Sequence, residues 1–88
     1  MAEYAVTFVR SARKELERLD SPLIERIFQH IEGFEKNPRP DGVTKLEGSR
    51  NLWRIRVGDY RVVYAIDDAK KIVDITRIRH RSDVYRRL

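Results

Sequence analysis

The chain has 88 residues, room for one domain with one small core. Hydrophobic residues make up 41% and charged residues 38%, which excludes a fully disordered chain and requires a heavily solvated outside. Cysteine is absent, so a disulfide framework, a thiolate metal site and a Cys nucleophile are excluded.

In chain order, Tyr4, Val6 and Phe8 alternate with smaller residues across 3–9, the pattern of a strand. Ser11 is positioned to cap a helix through Leu19, with Ala12, Leu16 and Leu19 on one stripe. Ser21-Pro22 restarts the chain as N-cap and first helical residue. Ile24, Ile27, Phe28, Ile31 and Phe34 keep helical spacing, so a second helix is predicted to about Lys36, where Pro38 stops it. Two helices with single apolar stripes form a hairpin that must cover a flat surface. Gly42–Leu46 is a possible short strand. Asn51–Val57 and Tyr60–Ile66 alternate around Gly58-Asp59, a two-residue turn with glycine first, as a II′ hairpin requires. Asp67-Asp68-Ala69-Lys70 turns the chain into a last strand, Lys71–Ile78, and Asp83–Leu88 suits a short terminal helix. The predicted fold is α+β, one domain over 1–88. Its order is β-α-α-β-β-β-β: an N-terminal strand, an α-helical hairpin and a twisted, mostly antiparallel sheet.

The net charge of +5 is confined to the second half. Residues 1–49 hold eight Lys and Arg against nine Asp and Glu; residues 50–88 hold eleven against five, and nine of the eleven are Arg. Arginine presents a planar fork of donors that matches phosphate, so this half points to a polyanion, nucleic acid first. The hairpin sharpens the inference. Its turn sets Val57 opposite Tyr60, Arg56 opposite Arg61 and Arg54 opposite Val63, so Trp53, Ile55, Val57, Tyr60, Val62 and Tyr64 face the helices. Arg54, Arg56 and Arg61 share the open side. Like charges directly opposite destabilise a sheet by about 0.2–1 kcal/mol, a cost that folding alone would avoid. The competing reading is a solvated strand face.

A second cluster, Arg77, Arg79, His80, Arg81 and Tyr85, leaves the last strand. It lies beside Arg61 only if the strand takes one particular register or carries a bulge near Ile78. His80 is a candidate proton carrier or a polar surface residue. Tyr85 can pack as an aromatic anchor, present a phenol or stack on a base. No His/Asp cluster has metal-ligand spacing and no glycine-rich phosphate loop is present, so neither metal nor nucleotide cofactor is expected. RNA brings its own nucleophile, the 2′-hydroxyl. Cleaving it needs positioning, a proton acceptor and donor, and cations around the developing phosphorane.

The strand Tyr4–Phe8, Lys45-Leu46-Glu47-Gly48, the stretch Leu52–Tyr64 with Trp-Arg-Ile-Arg-Val and Tyr-Arg-Val-Val-Tyr, and the closing Arg79–Tyr85 with His-Arg-x-x-Val-Tyr together resemble the RelE family of bacterial toxins, within the RelE/ParE superfamily. The resemblance covers essentially the whole chain. It implies the RelE-like microbial ribonuclease fold and a toxin of a type II toxin–antitoxin system. Its activity would be a ribosome-dependent, metal-independent mRNA endoribonuclease that cuts in the A site by 2′-hydroxyl attack. Carried over by position, Arg54 and Arg56 stand where the best-studied members have lysines. Arg61 matches a phosphate-stabilising arginine and Arg79 one that assists the leaving group. Tyr85 matches a tyrosine that stacks on the substrate base. Arg77, Arg81 and Lys45 are expected as further RNA contacts. An arginine pKa above about 12 makes Arg54 a poor proton acceptor, which turns attention to His80 or Tyr85. The resemblance also implies a RelB-like antitoxin partner, the ribosome and mRNA, and operator DNA reached only through the antitoxin complex.

Two alternatives stand beside this one: a ParE-like DNA gyrase inhibitor without nuclease activity, and an RNA-binding module without chemistry. The longest apolar run, Val62–Ile66, is far short of the ~20 residues of a membrane span. The N-terminus lacks a signal-peptide layout, so a cytoplasmic protein with no membrane partner is expected.

Overall fold

Period-two alternation in the second half and helical spacing in the first give the expected element order. A computed structural model describes residues 3–48 and 51–82. It contains β1 (Ala5–Phe8), α1 (Arg10–Glu17), α2 (Ser21–Phe34), β2 (Thr44–Lys45), β3 (Leu52–Val57), β4 (Tyr60–Asp67) and β5 (Ile72–His80). These form a five-stranded sheet in the order β1-β5-β4-β3-β2. Every pairing is antiparallel except β1 on β5.

The caps fall earlier than the sequence reading placed them, by two residues for α1 and by one for α2. Val9, extended at φ −70° and ψ 155°, is the N-cap of α1, so Ser11 lies inside the first turn. Asp20 caps α2 with Ser21 already helical, and neither cap residue makes a side-chain bond. α2 ends at Phe34. Beyond it, Glu35 and Lys36 donate three residues back, to Glu32 and Gly33, and the tightened turn leads into the loop before β2. The expected helix over 83–88 lies outside the described residues.

The core joins one face of the sheet to both helices. Ala12, Leu16, Ile27, Ile31 and Phe34 pack with Ile55, Val57, Val62, Tyr64, Ile66, Val73, Ile75 and Ile78, all buried. Tyr64 is fully buried, its ring 4.3 Å from that of Phe34. Its hydroxyl donates to the Pro38 carbonyl at 2.8 Å, which ties the loop after α2 to the sheet. Burial pushes this phenol well above its ordinary pKa. Phe28, at the edge of the α2 stripe, remains 40% exposed against Phe8.

Gly58 has φ +62°, the conformation a II′ turn requires of its first residue. The pairs Val57↔Tyr60, Arg56↔Arg61 and Arg54↔Val63 form as the turn dictates. β5 runs two residues further than expected, to His80. Its pairing with β4 slips once: Tyr64 faces Ile75, while Val63 faces Arg77. Thr76 is the extra residue, and its hydroxyl donates to the Val63 carbonyl at 3.1 Å. The bulge inverts the alternation, so that Ile75 and Ile78 both reach the core.

Candidate functional site

The bulge decides where the arginines point. Residues directly opposite across neighbouring strands share a face. Arg56, Arg61 and Arg79 are partners across β3, β4 and β5, and thus form one row. With strands about 4.8 Å apart, three guanidinium-bearing residues span ~10 Å. The next row is Arg54, Val63 and Arg77, with Thr44 beyond Arg54. Without the extra Thr76, the parity of β5 would turn Arg77 and Arg79 toward the helices. None of these residues belongs to the core cluster; they lie on the sheet face opposite the helices.

Arg56 and Arg77 are exposed, and Arg54, Arg61 and Arg79 are half-buried. The Arg61 Nε is buried without a hydrogen-bond partner among the described residues. Leaving such a donor unmet costs about 1–3 kcal/mol, which an incoming oxygen acceptor would recover. The ion pairs among the described residues are Arg13–Glu17, Arg39–Asp68 and Arg79–Glu15. Arg54, Arg56, Arg61 and Arg77 therefore have no carboxylate partner there.

Arg79 is the exception within the rows. Its Nε donates to Glu15 Oε2 at 2.8 Å, while the Ile78 N–H donates to Glu15 Oε1 at 2.7 Å. Sequence reasoning missed Glu15. The only local sign is an acidic residue immediately before the buried Leu16, and its partners lie more than sixty residues away.

Two expected members of the site lie elsewhere. His80 faces Tyr60, not the arginines, because consecutive strand residues point to opposite sides. Its ring meets that of Tyr60 edge-on at 5.2 Å. The Ser82 N–H donates to its Nδ1 at 3.2 Å, and the Ser82 hydroxyl lies 2.8 Å from the same nitrogen. Lys45 is partnered with Trp53 on the helix side, its Nζ 5.7 Å from the indole ring, so it too is separated from the rows. Arg81 is exposed just past β5, its N–H donating to the Asp59 carbonyl at 2.7 Å. Tyr85 lies outside the described residues.

The chain as a whole has known counterparts. A family model described as "ParE toxin of type II toxin-antitoxin system, parDE" matches residues 6–85. The chain is 36% identical over 84 residues to toxin RelE of Mycobacterium tuberculosis, covering 94% of this chain and 87% of that protein. It is 30% identical over 86 residues to the mRNA interferase toxin RelE of Escherichia coli, covering 93% and 90%. Among solved structures, the archaeal RelE–RelB complex from Pyrococcus horikoshii contains a chain that superposes with a TM-score of 0.80 at 31% identity, covering 89% of this chain and 94% of that one. Matched over nearly its full length in sequence and in structure, this chain belongs to the RelE family of type II toxin–antitoxin toxins, within the RelE/ParE superfamily.

Proposed function

We propose that this toxin is an mRNA endoribonuclease that acts in the ribosomal A site and needs no metal ion. The observation that carries the proposal is the row Arg56–Arg61–Arg79 with Arg54 and Arg77 beside it, held on regular strands and, Arg79 apart, without carboxylate partners among the described residues. In this reading the message is laid across the sheet with its scissile phosphate at Arg61. The 2′-oxygen attacks phosphorus and gives up its proton, and the 5′-oxygen leaves and takes one up. The products are a 2′,3′-cyclic phosphate and a 5′-hydroxyl. Arg61 and Arg56 stabilise the charge that develops on the non-bridging oxygens, the kind of donor whose loss costs about 10²–10³ in rate. Arg79 assists the departing oxygen, Arg54, Arg77 and Arg81 hold flanking phosphates, and Tyr85 stacks on a base. With His80 turned toward Tyr60 and every cation of the rows an arginine, the 2′-hydroxyl proton passes to solvent water, and the Tyr85 phenol gives its proton to the departing 5′-oxygen and regains one from water.

The similarity to an Escherichia coli protein named as an mRNA interferase supports the activity. The similarity to a RelE chain solved with RelB supports a RelB-like antitoxin partner, which in this reading masks the basic face. Operator DNA is then met only through the antitoxin. The test is to add purified toxin to programmed ribosomes and map the ends of the message. Cyclic-phosphate and 5′-hydroxyl ends within the A-site codon, formed in the presence of a chelator, are expected. Intact message together with inhibited DNA supercoiling by gyrase would replace this reading with the ParE-like one.

A further inference from the structure

β5 outlasts its parallel neighbour. β1 pairs with it from Ala5↔Ile72 to Phe8↔Ile75, and the last backbone bond on that edge runs from the Val9 N–H to the Ile75 carbonyl. Beyond it β5 would present unmet N–H groups. α1 takes over at this point, and Glu15 reaches the edge. Its two carboxylate oxygens are assigned to two consecutive residues of β5: Oε1 accepts the Ile78 N–H at 2.7 Å and Oε2 accepts the Arg79 Nε–H at 2.8 Å. The carboxylate is 19% exposed and the arginine 34%, so this pair is more shielded from water than the Arg13–Glu17 pair on the same helix, which is 72% and 64% exposed.

We infer that Glu15 is the positioning residue for Arg79: it fixes the guanidinium by its Nε and so aims both terminal amino groups of Arg79 at the phosphate. The inference rests on the nuclease reading above. The geometry supports it in three ways. Attachment through Nε uses the one donor that a phosphate clamp can spare, because the two terminal nitrogens form the other side of the fork, and neither has a partner among the described residues. The second bond, from the Ile78 N–H, anchors the carboxylate to the same strand that carries Arg79, so helix and arginine cannot drift independently. Finally, Arg79 stands opposite Arg61, and like charges in that relation separate unless something holds them. The carboxylate at the outer edge holds Arg79 in place against that repulsion and neutralises part of the row.

The test uses E15Q, R79A and the double variant in single-turnover cleavage on programmed ribosomes, with thermal unfolding alongside. The glutamine oxygen still accepts the Ile78 N–H, but its amide nitrogen presents a donor to a donor at Arg79. Misplacement by about 1 Å can cost ~10²-fold in rate. The expected result is a 10- to 100-fold slower cleavage step for E15Q with unchanged ribosome affinity, and no further loss when E15Q is added to R79A. Wild-type cleavage by E15Q, or a second full loss in the double variant, overturns the inference. Should E15Q fail to fold, the Arg79 Nε–H resonance of the wild type decides. A signal protected from solvent exchange at neutral pH upholds the clamp, and an unprotected one removes it. A wild type that leaves the message intact overturns the nuclease reading and this inference with it. A wild type that cuts beside an E15Q that cuts equally well overturns the inference alone.

Discussion

Arg39 and Arg61 carry the same side chain and meet opposite fates. Arg39, in the loop between α2 and β2, grips both oxygens of Asp68, with Nη1 at 3.3 Å and Nη2 at 2.9 Å, and lies 4.9 Å over the Trp53 ring. The Tyr4 hydroxyl donates to the same carboxylate at 2.6 Å, and Lys71 covers the Tyr4 ring at 4.9 Å. At this end of the sheet the cations have found their complements within the chain. At the Gly58 end, Arg56 and Arg61 stand directly opposite one another, and the Nε of Arg61 is buried and unmet among the described residues. The lesson is that total charge does not locate a site. What singles out a candidate surface is charge without a carboxylate partner among the described residues.

The sharpest way to break this comparison is to exchange the two deletions. Arg61→Ala is expected to lower single-turnover cleavage by at least ~10²-fold while leaving the thermal midpoint unchanged or slightly higher. Loss of folding with retained activity would reverse the assignment. Arg39→Ala is expected to do the converse. An exposed ion pair is worth up to ~1 kcal/mol and a cation–π contact about 0.5–1, so denaturant unfolding should show a loss on the order of 1 kcal/mol with cleavage intact. Arg56→Thr relieves a like-charged pair and puts a strand former in its place. We expect a stability gain of about 0.2–1 kcal/mol, slower cleavage, and a salt dependence of RNA binding shallower by about one unit of slope. The smallest effect concerns pH. Hydrogen bonds from Arg39, then from Tyr4, lower the Asp68 pKa from its ordinary 3.8 to about 2. The folded value lies below the unfolded one, so this stabilisation is fully present above about pH 4 and is lost as pH falls through about 2. Asp68→Asn should flatten the unfolding curve within that window and leave its shape near neutrality unchanged.

Much of this was legible in the sequence, for local reasons. A two-residue turn leaves the β3–β4 hairpin one register, so Arg56 opposite Arg61 followed from Gly58-Asp59 alone. The stripes of both helices pointed to their buried sides. Two features had no local signal. The parallel docking of β1 on β5 joins residues 67 positions apart, and Glu15 meets Arg79 across a separation of 64. The misplaced residues have specific causes. Ending the last strand at Ile78 left His80 unassigned, whereas two more paired residues turn it toward Tyr60. A two-residue β2 contains too little pattern to show that Lys45 falls beside Trp53.

The extra Thr76 has a consequence for how the chain finds its fold. If β4 and β5 zipped together without the bulge, Arg77 and Arg79 would enter the apolar layer beneath the helices, at a desolvation penalty of several kcal/mol for each ion. The unbulged pairing is disfavoured by that penalty, and the same arginines that form the exposed rows thus weigh against it in the sheet that displays them.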